Sequence, residues 1–480
     1  MGTVLVDTYP YSSVLIRRMP VSPGETMPSL ADAAFGEPDL GAARMQMALS
    51  LGWHIILACL GVGMPAITLI AEWRGHRTGD LNYRLLARRW ARAMGVLFAV
   101  GAVSGTILSF EMGLLWPGLM GTYGEVIGLP FSLEGIAFFI EAIFLGIYLY
   151  AWDRLPPVPH MLSGLPIVVA GVASAFFVVT ANAWMQQPTG FDTENGRIVS
   201  VDPWAAMFNP ATPPQTVHMI LAAFMVAGFL MAGVYAVAML RGRRDRYHRL
   251  GFLIPFTVAA IVTPVQIGVG DWAAHFVAEN QPVKLAAMEG VFHTERGAPL
   301  HLGGFAIGGE LRYALEIPNG LSLLAHWSPD AEIVGLENVP EADRPPVNVT
   351  HWAFQIMVGI GFGLLALCAW LAFTWKRHRD LPRTPWFLRA CALSGVGAVL
   401  ALEAGWTVTE VGRQPWIVYG VMRTSEAVNP APGLVWGFVL VALVYAVLTV
   451  ATVYVLRRLA RDEPVPVAPQ ERDVTDYKVI

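Results

Sequence analysis

Nine apolar stretches of roughly membrane-spanning length alternate with polar links along the chain, at about 46–71, 92–115, 129–151, 162–184, 216–240, 250–276, 352–375, 387–409 and 433–456. This pattern predicts an all-α integral membrane protein with nine transmembrane helices. Arginine is distributed unevenly between the links. Arg74, Arg77, Arg84, Arg88 and Arg89 fall in one, Arg241, Arg243, Arg244, Arg246 and Arg249 in another, and Lys376, Arg377, Arg379 and Arg383 in a third. The intervening links at 116–128 and 185–215 carry no Lys or Arg and one Arg, respectively. The basic links are expected on the cytoplasmic side. That places the N-terminus outside and the C-terminus, which follows Arg457-Arg458, in the cytoplasm.

The pattern also divides the chain. Residues 1–40 lack a sustained apolar run and read as a loose tail, with Met27 and Met45 as alternative starts. Residues 41–276 carry helices 1 to 6, residues 352–458 carry helices 7 to 9, and 459–480 form a cytoplasmic tail. The connection 277–351 is then extracytoplasmic and longer than a simple link requires. Within it Pro282 to Glu289 suits a short helix, and Gly303-Gly304 and Gly308-Gly309 mark turns.

A composition of 55% hydrophobic and 14% charged residues excludes a soluble enzyme of this length. The net charge of −4, with arginines confined to short clusters, gives no sign of a nucleic-acid partner. Cys59, Cys368 and Cys391 all fall in apolar runs without metal-ligand spacing, so neither a disulfide framework nor a zinc site is expected.

Chemistry enters where charge interrupts the apolar runs. The run from about Leu388 to Leu402 leads into Glu403, then Gly405-Trp406-Thr407-Val408-Thr409-Glu410-Val411-Gly412-Arg413-Gln414-Pro415-Trp416. Hydrocarbon penalises these charges unless they find a partner or a bound group. Glu410 and Arg413, three apart, suit either a plain ion pair or a polar site at one membrane face. His54 has no carboxylate within a turn, which leaves a packing histidine and a ligand both open. His218 and Met357 start the fifth and seventh segments at similar depth, and an imidazole with a thioether suits a low-spin haem iron. Either alone also fits packing. Glu134 and Glu141 are seven apart, on one helical face and separated by a rise of roughly 10 Å. They suit a proton relay or haem propionate neighbours. Glu111 reads equally well as solvated, and so do Lys284 and Glu289 in their aqueous loop.

Several of these pieces recur together. The Gly405 to Trp416 run, Lys284-Leu285-Ala286-Ala287-Met288-Glu289, Leu133-Glu134-Gly135, Ala181-Asn182-Ala183-Trp184-Met185-Gln186 and Trp352-Ala353-Phe354-Gln355-Ile356-Met357 resemble subunit I of cytochrome bd-type quinol oxidases. The resemblance covers about residues 41 to 458 and includes the short loop of the members called cyanide-insensitive. It implies a subunit of the bacterial cytoplasmic (inner) membrane that oxidises quinol and reduces O2 to water without copper. Three haems are implied near the outer face: a low-spin haem b, a high-spin haem b, and a haem d or a b-type replacement. A second integral membrane subunit (subunit II) is implied as partner, with a small single-helix subunit as a further candidate.

The family pattern assigns His218 and Met357 to the low-spin haem b iron, and His54 and Glu410 to the two high-spin haem irons in an order left open. By the same likeness Lys284 and Glu289 bind quinol, Glu134 and Glu141 lie on the proton route, Trp406 stands between haems, and Arg413 lies beside a haem propionate. One residue departs: Gln355 stands where an arginine is usual, which removes a cation near the low-spin haem and predicts an altered reduction potential. A proton-coupled transporter without haem is the alternative from another class. A copper-containing oxidase needs more membrane histidines than His54 and His218 provide.

Overall fold

The computed structural model describes residues 40–194, 197–382 and 384–461. Of the expected N-terminal tail only Leu40 is described, and of the C-terminal tail only 459–461, all of them helical; the rest of both, including Met27, lies outside the described residues.

Nine long apolar helices stand among the described residues: α1 (Leu40–Thr78), α2 (Leu81–Leu115), α3 (Pro117–Tyr150), α4 (Pro157–Gln186), α5 (Thr212–Leu240), α6 (Arg246–Asn280), α7 (Val347–His378), α8 (Pro385–Val411) and α9 (Leu434–Arg461). The number agrees with the apolar pattern, whereas the lengths exceed it. The 39 residues of α1 span about 58 Å, well beyond the ~30 Å hydrocarbon core. Apolarity reports only the part of a helix in hydrocarbon; the capped ends continue into water. Asp80, Asp245 and Thr384 provide such caps by accepting backbone N–H bonds at the starts of α2, α6 and α8.

The expected link at 116–128 is instead helix. Trp116 alone separates α2 from α3, Pro117 occupies the first turn where its missing N–H costs nothing, and Leu119, Tyr123, Val126 and Ile127 bury one face of the added turns. The link 185–215 holds a hairpin, Phe191–Glu194 against Arg197–Val201, and the short helix Pro203–Met207. The connection between α6 and α7 contains the expected helix Pro282–Glu289, closed by Gly290 at φ 71°. Short antiparallel pairs follow. One is Phe305–Ile307 with Glu310–Arg312, turned by Gly308 and Gly309 at φ 63° and 81°.

Lipid is as apolar as leucine, so close packing rather than water exclusion holds such a bundle together. A Cβ on Gly63 of α1 would lie 2.4 Å from the Cβ of Ala227 on α5, so only glycine allows that approach. Helix α5 sits at the centre, packed on α1, α4, α6 and α8, while α7 leans on α8 and α6. Helix α9 is peripheral, with only Tyr445 and Thr452 buried. The nine crossings bring the starts of α1, α3, α5, α7 and α9 and the ends of α2, α4, α6 and α8 to one face of the bundle, beside the long connection.

Candidate functional site

The end of α8 carries a connected polar network at this face. Glu410, in its last turn, accepts from Asn182 Nδ2 of α4 at 2.5 Å and from Arg413 Nη2 at 2.6 Å. The plain ion pair is therefore formed, but it does not satisfy the arginine. Arg413 is buried, and its Nε and Nη1 have no partner. Each buried unpaired donor costs roughly 1–3 kcal/mol. A guanidinium left with two unpartnered nitrogens suits a second anion. Beyond it, Gln414 Oε1 accepts from Arg44 Nη2 at 2.7 Å and from Thr424 Oγ1 at 2.9 Å, fixing the chain as it leaves the helix. Trp406 is half-buried and packs against the main core.

His54 on α1 has a defined tautomer. Its Nδ1 lies 2.8 Å from Ser104 Oγ, and that hydroxyl already donates to the Gly101 carbonyl at 2.9 Å. Ser104 must then accept, so Nδ1 carries the proton and the Nε2 lone pair is free, the arrangement seen in metal-ligating histidines. A Cβ at Gly105 would come within 3.0 Å of the imidazole Cε1.

His218 on α5 faces α6, where Gln266 Nε2 stands 3.2 Å from its Nε2 and a Cβ on Gly270 would lie 3.3 Å from its Cε1; its Nδ1 has no partner. Met357 on α7 faces α8, its sulfur 2.9 Å from where a Cβ on Gly405 would stand. The two side chains come from helices that share α6 and α8 as neighbours. Glycines thus lie beside all three side chains; the Nε2 lone pair of His54 is free, whereas that of His218 accepts from the Gln266 amide.

The short helix of the long connection docks against this region. Lys284 is buried and its Nζ donates to Gln186 Oε1 at 3.0 Å and to the Thr409 carbonyl at 3.2 Å, one residue before Glu410. Glu289 is buried with its Oε2 unpartnered. The expectation that both are solvated is thus corrected: the helix carrying them packs on α6 and α7, and Lys284 reaches from it to α4 and α8. Burial, reinforced by the charge of Arg413 and opposed by Glu410, lowers Lys284 to about 7; burial raises Glu289 to about 8. His301 Nδ1 lies 2.9 Å from the Glu289 carbonyl, and Gln355 Nε2 donates to the His301 carbonyl at 2.9 Å. The departing residue Gln355 therefore reaches the loop.

Glu134 Oε1 accepts from Ser174 Oγ of α4 at 3.1 Å. Glu141 is buried, and its Oε1 would lie 3.8 Å and 3.7 Å from Cβ atoms on Gly61 and Gly171. Glu111 is corrected as well: it is buried, accepting from Gln46 Nε2 at 2.8 Å. Glu403 lies against Gly52 of α1 with its Oε1 unpartnered. Sequence reasoning gave no role to Asn182, Gln186 or Ser104. Two amides four residues apart at the end of an apolar run were a readable signal for the first two; Ser104 had none.

The model of the family Cytochrome bd terminal oxidase subunit I matches residues 42–464. A Bacillus subtilis (strain 168) protein provisionally named cytochrome bd menaquinol oxidase subunit I is 39% identical over 89% of this chain and 98% of its own. The cytochrome bd ubiquinol oxidase subunit 1 of the same organism is 30% identical, over 88% and 93%. The solved bd oxidase from Geobacillus thermodenitrificans superposes with a TM-score of 0.82 at 42% identity, covering 88% of this chain and 99% of that one. The transporter alternative falls with these matches. The chain belongs to the cytochrome bd terminal oxidase subunit I family: a haem-binding oxidoreductase of respiration, multi-pass in the bacterial inner membrane and built to work with a partner subunit.

Proposed function

We propose that this subunit oxidises quinol at the face bearing the long connection, that this face is extracytoplasmic, and that electrons pass from there to haems that reduce O2 to water without copper. The observation that carries the reading is the hydrogen bond from Lys284 to the Thr409 carbonyl, which joins the quinol helix to the turn holding Glu410. Site and loop are one structure, so a quinol at the loop lies beside the electron acceptors.

The donor set fits haem: a free imidazole lone pair at His54, His218 and Met357 each facing a glycine, and buried guanidinium N–H groups at Arg413 suited to a propionate. On this reading His218 and Met357 hold the low-spin haem b, and His54 and Glu410 the two high-spin haems, one b and the other d or a b-type replacement. Bound haem supplies one-electron redox chemistry and an iron position for O2. The protein does the rest. Arg413 restrains Glu410, Ser104 sets the His54 tautomer, and Trp406 would stand between the haems. Glu289, with an unpartnered oxygen, takes a proton from the quinol hydroxyl, and Lys284 orients the ring oxygen.

Quinol oxidation releases protons on the loop side, while water formation consumes protons from the cytoplasm. Glu141 and then Glu134 pass them from the arginine-rich side toward the haems, so charge separates without a pump. Menaquinol and ubiquinol both occur in the names of relatives, so both are candidate substrates. Subunit II is the partner, and a small single-helix subunit a second one. The test is the absorption spectrum of the dithionite-reduced purified oxidase, followed by quinol-driven oxygen consumption. Haem bands with quinol oxidation are expected; a colourless complex would refute the reading.

A further inference from the structure

A second buried polar cluster lies near the opposite, arginine-rich end of the bundle, away from the end of α8. Tyr148 of α3 donates its hydroxyl to Glu72 Oε2 of α1 at 2.6 Å, and His160 of α4 holds Glu72 Oε1 at 2.7 Å through Nδ1. His160 Nε2 lies 3.0 Å from the Tyr148 carbonyl. A carbonyl only accepts, so Nε2 carries a proton, and the proton between Nδ1 and Glu72 is the one that can be exchanged. All three residues are at most 2% exposed. His76, whose side chain is 20% exposed, stands 3.4 Å from Glu72 Oε1 and links the cluster to the surface.

Helical periodicity connects this cluster to Glu141. On α1, positions 61, 68 and 72 fall on one face, and on α3 so do 141 and 148; on α4, 160 and 171 complete the same seam. Its far end is the carboxyl of Glu141 between Gly61 and Gly171. Pro65 has no N–H to give to the Gly61 carbonyl, so an acceptor stands free in α1 beside that carboxyl. Between the two ends Thr68 is fully buried with its hydroxyl unpartnered, although a helical threonine normally bonds back to its own helix. The gap from Glu72 to Gly61 is about 16 Å of helix rise, with Thr68 inside it.

We propose that Glu72, Tyr148 and His160 form the intake of the proton route, with Thr68 as the hydroxyl on the way to Glu141. The inference rests on the reading that Glu141 carries protons for oxygen reduction. A proton enters at His76 and protonates Glu72. The proton already shared by Glu72 and His160 leaves toward Thr68, and the cluster returns to its starting state. A structural ion pair would also tie α1 to α4, but it would give no reason for the unpartnered Thr68 hydroxyl or for the shared seam.

The experiment uses the whole oxidase complex in membranes carrying Glu72→Gln, Thr68→Val or Glu141→Gln. Three readouts are taken: the dithionite-reduced haem spectrum, the rate at which quinol reduces the haems without oxygen, and quinol-driven oxygen consumption. For Glu72→Gln the first two should match wild type, while oxygen consumption falls about tenfold or more. Thr68→Val, nearly isosteric, should slow the same step severalfold. Full oxygen consumption in Glu72→Gln and Thr68→Val together with a slow Glu141→Gln overturns the intake alone; full rate in all three overturns the relay itself. Should Glu72→Gln fail to accumulate haem, Thr68→Val decides, a full rate refuting the intake. Equal slowing of anaerobic haem reduction and oxygen consumption would mark a structural role and also refute it.

Discussion

The acids at the end of α8 and those in α3 are both enclosed by apolar helices, but their surroundings differ. Glu410 has both oxygens engaged, by an amide and a guanidinium from fixed backbone positions. Glu134 has one serine hydroxyl, and Glu141 is bordered by glycines. A fully held carboxylate is suited to stay in place and support a bound group. A carboxyl with a light, replaceable partner is suited to change its proton and its neighbours. One region is built to position, the other to exchange.

The strongest way to break this contrast is to remove the held carboxylate. Glu410→Ala leaves Arg413 buried without its counter-charge, and oxygen consumption should fall more than about a hundredfold with loss of part of the haem complement. Haem content per protein and oxygen uptake measure both; retained haem with full activity would erase the distinction. Next comes Glu141→Gln, expected to slow oxygen reduction about tenfold or more while leaving the haem spectrum intact, since no iron depends on it. A lost haem band would move Glu141 into the positioning class.

A smaller effect concerns Glu289. Burial holds it at about 8, so it is mainly protonated at neutral pH and gains proton-accepting capacity as pH rises through that value. Quinol-driven turnover at saturating oxygen should climb by severalfold between about pH 7 and 9, and Glu289→Gln should be both slower and without that rise. Lys284, lowered to about 7, loses its charge over the same range, so Lys284→Met should remove any decline above the optimum. The smallest effect is at Gln355. Introducing arginine in Gln355→Arg should raise the potential of the low-spin haem by on the order of tens of millivolts, because a cation favours the reduced centre. A redox titration with no shift would separate Gln355 from that haem and leave only its bond to His301.

The regions also differ in how readable they were. Nine spans followed from apolar length, because hydrocarbon thickness constrains sequence directly. The spacing of Glu134 and Glu141 gave their common face, since helix geometry is local. Burial of Lys284, Glu289 and Glu111 could not be read, because it depends on which surface a segment docks against. The unpaired donors of Arg413 were equally hidden: i and i+3 spacing announces the ion pair but not which nitrogens it leaves over. Sequence likeness named candidate ligands, and only coordinates supply the Ser104 bond that sets the His54 tautomer.

The bond from Arg44 to Gln414 joins residues 370 positions apart. Translation at about 5–20 residues per second separates their synthesis by roughly 20–75 s. During that interval α1 waits in the membrane with Arg44 lacking Gln414, whereas Gln46 and His54 meet Glu111 and Ser104 as soon as α2 follows. The α8 end of the site therefore closes late in biogenesis, and cofactor loading that needs both α1 and α8 can be completed only when the chain is nearly finished.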